Sequence, residues 1–389
     1  MIYYAKILIF FELLRLFSFF FVFLQKNNDI ISHSILDHQA DSFFHRLSIS
    51  IETMRFPLIL FIICLHCYTS TSVVTSGHEI YFRLIYPISL WIGETGVPAF
   101  FFISGLLLFY SKKTYIQKVR SRFHTLLIPY IFFNGLILCI YLCSMFFGNS
   151  VMIVGKDLAD YTLIDYIRAF WDRGVWDHGN GSPMLCPLWY IRNLMILVIL
   201  SPILFYIVKY TKLLFPVIFG LLWINVHDSA YTLQSLTMFS LGAYFPICDS
   251  NPIDIFDKNK VLFVCAFFFL AILDILHLYV PIPFALPIHR LSLVANTFFC
   301  ISFLGAFLYS HHLYSSFLSK SAFFVFCIHY PFTTFLRPIF MRINGSSDIV
   351  LILIYLTSII CITLLCFLLY IVLKRIWPGL VNYITGSRG

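Results

Sequence analysis

The chain has 389 residues, of which 60% are hydrophobic and only 11% charged, against roughly 25% charged in soluble domains, so it reads as an all-α polytopic membrane protein. The net charge of +8 does not point to nucleic acid, because Lys and Arg are spread among short connections as cytoplasmic loops require. The eleven cysteines lie mostly inside apolar runs as small hydrophobes, which argues against a secreted disulfide framework.

Residues 1–25 are apolar but carry Lys6, Glu12 and Arg15, and 26–46 turn polar through Asp37, His38 and Asp41. The sequence leaves three readings of 1–45 open: an additional spanning helix, an interfacial helix, or an upstream extension of a misassigned start. No small-residue cleavage site follows the apolar run, which disfavours a signal peptide. The first clear span covers about 48–69, and Pro57, tolerated in a first helical turn, predicts a helix start close to Arg55. Further spans are predicted at about 87–110, 125–147, 187–208, 213–226, 231–247, 261–280, 291–309, 320–340 and 349–373, about ten in all.

The segment 112–122 holds Lys112, Lys113, Lys118, Arg120 and Arg122, the densest basic cluster of the chain. It is expected in the cytoplasm. Lys209, Lys212, Lys258, Lys260 and Lys320, with Lys374, Arg375 and Arg388 near the C-terminus, then fall on the same side. The tail 376–389 is expected in the cytoplasm and 148–186 becomes the longest external connection. No repeat of 20–50 residues is visible, and no soluble domain is appended.

Several stretches carry chemistry. Arg55 and His66 flank an apolar run. Eleven residues at about 100° each return to within roughly 20° of the start, so in a helix both side chains share one face, separated by a rise of roughly 16 Å. Intramembrane ionisable groups are usually functional; the plainer reading is a snorkelling Arg and a hydrogen-bonded His. Cys64 and Cys67 have CxxC spacing around His66, but a zinc site wants four ligands and no second pair lies near in sequence. Gly96-Val-Pro-Ala-Phe-Phe-Phe-Ile-Ser104-Gly105 joins small residues to aromatic ones, as close helix packing or an approach of backbone to a ligand would require. Arg120-Ser-Arg122 reads either as a positive-inside marker or as a phosphate clamp. Trp189-Tyr-Ile-Arg192 reads as an interface anchor whose Arg needs a partner. Glu94, Asp274 and His329 read as structural partners within apolar runs.

Taken together, these stretches resemble the membrane acyltransferase-3 family. Arg55 and His66 match its Arg-x10-His pattern, Gly96 to Gly105 its second-span motif, and Arg120-x-Arg122 its cytoplasmic Arg-x-Arg. Ile128-Pro-Tyr130-Ile-Phe-Phe-Asn134 is similar to its third span. Leu188-Trp-Tyr-Ile-Arg192 is similar to its fourth, and Phe326-Cys-Ile-His329 to its late leucine-x-His. The match runs over about 46–375, and the first 45 residues depart from the pattern. The resemblance implies ten helices with both ends cytoplasmic, in a bacterial cytoplasmic membrane. It implies an acyltransferase for groups other than aminoacyl groups, of the surface-polysaccharide O-acetyltransferase type. Acetyl is the usual group, taken from cytoplasmic acyl-coenzyme A, without metal or tightly held cofactor. The expected partners are acyl-coenzyme A, a saccharide or lipid-linked glycan, and membrane lipid, with no nucleic acid.

In this scheme His66 is the general base for the acceptor hydroxyl, and Arg55, Arg120 and Arg122 hold the donor phosphates. Glu94, Ser104, Gly105, Trp189, Arg192 and His329 support the site, with a backbone amide near Ser104-Gly105 as an oxyanion donor. A covalent acyl-enzyme is left open. Trp171, Asp172, Trp176 and Asp177 in the external connection combine flat apolar faces with hydroxyl-binding groups, which suits a sugar; the alternative is an interfacial belt. Two other classes compete. A secondary transporter or exporter of a glycan or small anion would use buried His and Arg but should show inverted repeats. A structural or assembly protein would not need the Arg55–His66 pair.

Overall fold

The computed structural model describes residues 36–68, 78–148, 150–153, 156–172, 181–226, 230–342 and 347–386; the N-terminal residues 1–35, and with them the additional-helix expectation, lie outside the described residues. Apart from one two-residue β-hairpin the elements are helical. In order they are α1 Leu36–Cys67, α2 Glu79–Tyr86, α3 Gly96–Tyr110, α4 Tyr115–Arg122, α5 Ile128–Phe146, β1 Met152–Ile153, β2 Lys156–Asp157, α6 Leu163–Ala169, α7 Trp189–Ile199, α8 Ser201–Thr211 and α9 Leu214–Asn225. They continue with α10 Ala230–Ile247, α11 Pro252–Lys258, α12 Lys260–Leu276, α13 Ala285–Phe299, α14 Gly305–Ser310, α15 Ser316–Arg342, α16 Asp348–Ile376 and α17 Pro378–Ile384. Three π-helical stretches, Pro87–Ile92, Phe123–Leu127 and Cys300–Leu304, join α2 towards α3, α4 to α5, and α13 to α14.

Two expectations are corrected. The helix carrying Arg55 does not begin there: α1 is continuous from Leu36 with Pro57 inside it. Proline removes one backbone bond, which a helix packed among others tolerates, so it did not mark a start. The second correction is the number of spans. Among the described residues five helices are long and apolar enough to cross a membrane, or up to seven if two bent pairs each count once, fewer than the ten expected. The pairs bend by 72° after Ile199 and by 79° after Lys258; Pro202 just beyond the first break cannot continue the helix before it. α9 has 12 residues, about 18 Å against a hydrocarbon core of roughly 30 Å. α10 is diluted by Thr232, Gln234, Ser235, Thr237 and Ser240. The stretches expected to span are helical, but polar content and breaks keep several below what length and apolarity require.

The chain divides into two compact units. The first comprises the chain to Met54, Pro98–Ser111 and Ile203–Tyr314. Its core is aromatic, with Phe102, Phe245, Phe256, Phe263 and Phe298 ring against ring. Gly105 of α3 and Gly242 of α10 abut reciprocally: a Cβ on either would meet the backbone carbonyl of Phe239 or Phe102, so the helices touch backbone to backbone. Fully buried Asp274 of α12 bonds His289 (2.8 Å) and Ser292 (3.2 Å) of α13, the structural partnership expected of a carboxylate in an apolar run. A cavity of about 320 Å³ in this unit is lined by Phe256, Phe263, Phe299 and Phe303, with Arg46 and Lys260; none of the candidate site residues lines it.

The second unit comprises Arg55–Val97, Lys112–Pro202 and Ser315–Gly389. A Cβ on Gly96 would lie 2.7 Å from both Ile62 Cγ1 and the Leu58 carbonyl, and one on Gly93 3.0 Å from Leu65 Cβ, so the entry to α3 presses onto the last turns of α1. Ser89 donates to the Tyr355 hydroxyl at 2.6 Å, tying the first π stretch to α16. Phe133, Phe324 and Tyr370 stack α5, α15 and α16 together.

Candidate functional site

His66 sits in the last turn of α1 and is half-buried. Its ring meets two aromatic neighbours on α15, with centroids 5.3 Å from His329 and 5.0 Å, edge-on, from Tyr330. His329 is completely buried. Its Nδ1 lies 2.8 Å from the Phe326 carbonyl and 3.2 Å from that of Val325. Carbonyls only accept, so Nδ1 carries the proton and donates, which leaves a lone pair on Nε2 of the neutral ring. That Nε2 is buried without a hydrogen-bond partner. The row of side chains continues: the Phe326 ring lies 6.1 Å from that of His329, Tyr190 of α7 lies 5.9 Å from Phe326, and Arg122 is within electrostatic reach of Tyr190.

The arginines are placed unequally. Arg55 shares the unbroken α1 with His66, so the rise of roughly 16 Å between them is kept, and it is half-buried. Arg120 and Arg122 close α4, whose start is fixed by a capping box between Thr114 and Gln117. Two residues on a helix differ by about 200°. Accordingly Arg120 is exposed and Arg122 half-buried, rather than side by side. Glu94 follows Gly93, which abuts Leu65 beside His66. Ser104 and Gly105 belong to the first unit, and the open side of Gly105 is filled by α10.

The connection 147–188 has more structure than a solvent loop. β1 and β2 pair antiparallel, and α6 opens with a capping box in which Thr162 accepts from the Asp165 N–H and Asp165 from the Thr162 N–H. Lys156 lies 2.8 Å from Asp165. That ammonium, with the Thr162 hydroxyl and N–H, holds the Asp165 carboxyl well below the usual carboxylate range. The chain then folds back along α5. The Tyr130 hydroxyl donates to the Phe170 carbonyl, Asn134 Oδ1 accepts the Leu185 N–H at 2.9 Å, and the Met184 N–H closes onto the Ala169 carbonyl at 2.6 Å. Tyr130 and Asn134 precede the end of α5 at Phe146 by roughly three to four and a half helical turns, so the return is roughly 18–24 Å.

Arg192 of α7 completes the clamp. It donates to the carbonyls of Trp171 and, at 2.6 Å, Gly181, reaches Asn193 Oδ1 at 3.2 Å, and lies 5.3 Å from the Trp171 ring. The partner this Arg required is therefore the segment itself. Trp171 keeps 53% of its surface exposed, Asp172 pairs with Arg168 at 3.1 Å, and Trp189 is buried. Trp176 and Asp177 lie outside the described residues. Among the described residues no three of His, Cys, Asp and Glu gather as metal ligands would.

A family model described as an acyltransferase domain matches residues 48–371. The chain belongs to the acyltransferase-3 family. Neither the curated proteins nor the solved structures supply a match. In this acyltransferase the structure gathers His66, His329, Tyr330, Phe326 and Tyr190 into one row, with Arg122 within electrostatic reach of Tyr190. Chemically, the row offers an imidazole able to exchange a proton and an aromatic wall, and Arg122 adds a guanidinium suited to phosphate. Tyr130 and Asn134 hold the fold-back of this membrane acyltransferase, and the sequence offered for that role only their place in the third-span pattern.

Proposed function

We propose that this acyltransferase carries an acyl group, acetyl in the simplest case, from cytoplasmic acyl-coenzyme A to a hydroxyl of a cell-surface or lipid-linked saccharide, working in the cytoplasmic membrane of a bacterium with its C-terminus in the cytoplasm. His66 takes the hydroxyl proton as the acceptor oxygen bonds to the acyl carbon; the carbon–sulfur bond breaks, and the leaving thiolate takes that proton from His66. Arg55 and Arg122 engage the donor phosphates, with Arg120 adding charge from the surface. Trp171, with Asp172 beside it, offers the acceptor sugar a flat face on the fold-back.

The observation that carries the reading is the placement of Arg55 and His66 on one unbroken helix, with His66 half-buried against a second histidine, in a chain whose family transfers acyl groups. Purified protein in detergent, given acetyl-coenzyme A labelled in the acetyl group, should hydrolyse it slowly and transfer label to an added saccharide acceptor. If label moves neither to water nor to any acceptor, while longer acyl donors are equally inert, the donor assignment falls.

A further inference from the structure

We propose that His329 is a positioning residue for His66: its Nε2 accepts a hydrogen bond from a ring N–H of His66 and so commits the other nitrogen of His66 to the acceptor hydroxyl. This rests on the reading of His66 as the base. Three observations lead to it. The two carbonyls at Nδ1 settle the tautomer of His329 and leave Nε2 as a pure acceptor. That acceptor is completely buried and unpartnered, a costly arrangement unless a donor completes it in use. The sole ring nitrogens within reach among the described aromatic contacts belong to His66, whose centroid lies 5.3 Å away, a separation at which an N–H···N bond closes when the His66 ring turns about its side-chain axis. A substrate hydroxyl cannot take the place of that donor, because Nε2 is sealed from the surface. His66, half-buried, lies against the sealed ring of His329 and keeps part of its own surface exposed.

A neutral imidazole has one N–H and one lone pair, and the direction in which it faces is set by what its other nitrogen bonds. With the N–H given to His329, the lone pair faces the hydroxyl. As the acceptor oxygen attacks the thioester, its proton moves to that lone pair and His66 becomes an imidazolium. Its N–H towards His329 is then a charge-assisted and stronger bond, so the pairing favours the transition state over the ground state. The proton leaves on the coenzyme A thiolate, and His329 neither gains nor loses one.

Two substitutions separate this role from packing. The amide of Gln reaches the place of Nε2 and supplies an acceptor there, whereas that of Asn reaches only the place of Nδ1 and can bond the carbonyls. His329→Asn should lower kcat by about 10²-fold with the KM for acetyl-coenzyme A unchanged. His329→Gln should stay within about ten-fold of wild type. Equal loss in both, or no loss in His329→Asn, overturns the proposal. Should either variant fail to insert, ¹⁵N spectra of histidine-labelled wild type, with the His329 signal assigned by difference, decide instead: a proton on Nε2 rather than Nδ1 would refute it. The base assignment is judged apart, by His66→Ala. More than about a tenth of wild-type turnover there defeats the reading itself, whereas a larger loss there with an unaffected His329→Asn defeats only the positioning role.

Discussion

Replacing His66 with alanine removes the imidazole on which both the proton transfer and the His329 contact depend. Acyl transfer should fall by the 10²–10⁴-fold typical of a lost general base, while insertion and purification stay normal; more than about a tenth of wild-type turnover would transfer the role elsewhere. For the donor, the two arginines of α4 should not behave alike. Arg122→Ala, at the half-buried position, should raise the KM for acyl-coenzyme A about ten-fold or more, since a hydrogen bond to a charged group contributes about 1.5–3 kcal/mol. Arg120→Ala, from an exposed position, should raise it only a few-fold. Arg122→Lys should recover part of the loss, because charge survives and the planar fork does not. An effect on insertion alone would make both residues topology markers. The placement of Arg55 and His66 on one helix was legible in the sequence because spacing alone decides which positions share a face. The meeting of His66 with His329 was not, because two residues so far apart in the chain leave no periodic signal of contact.

At the scale of elements, the fold-back 147–188 hangs on a few bonds from side chain to backbone. Asn134→Ala strips the acceptor from the buried Leu185 N–H, and an orphaned buried donor costs about 1–3 kcal/mol. Thermal unfolding should therefore move down and limited proteolysis should cut within the segment. Unchanged proteolysis in Asn134→Ala would show that other contacts suffice. The α6 cap adds a dependence on pH. The Asp165 carboxyl sits below its ordinary value of about 3.9, so its contribution is present in full above that value and is lost only as the pH falls through the lower folded one. Protease resistance should hold from pH 7 to about 4.5 and weaken in stronger acid; in Asp165→Asn that acid dependence should shrink. The capping boxes of α4 and α6 could be read from Thr–x–x–Gln and Thr–x–x–Asp. The fold-back could not, since a long polar connection looks the same whether it floats in water or returns along a helix. Pro57 misled in the opposite sense: it has a local preference for helix starts, and the packing around α1 overrode it.

For the whole molecule, apolar content made the membrane class plain, while the number of crossings depended on breaks and on polar residues whose burial the sequence does not disclose. The orientation can be tested directly. In a background lacking the native thiols, a cysteine at position 113 should resist an impermeant label in intact cells and react once the membrane is opened, whereas positions in 150–172 should react from outside. Labelling at 113 in intact cells would invert the orientation. The clamp of the fold-back bears finally on how such a chain is made. Synthesis delivers Tyr130 and Asn134 well before Phe170 and Leu185, and Arg192 last of all. While the ribosome is still between residues 146 and 192, the Tyr130 hydroxyl and the Asn134 amide oxygen of α5 wait in the bilayer for partners not yet translated, and unpaired polar groups are costly there. Biogenesis of this half of the protein is thus a delayed closure, complete only when α7 emerges, and a nascent chain stalled ahead of it would present cellular quality control with an open seam.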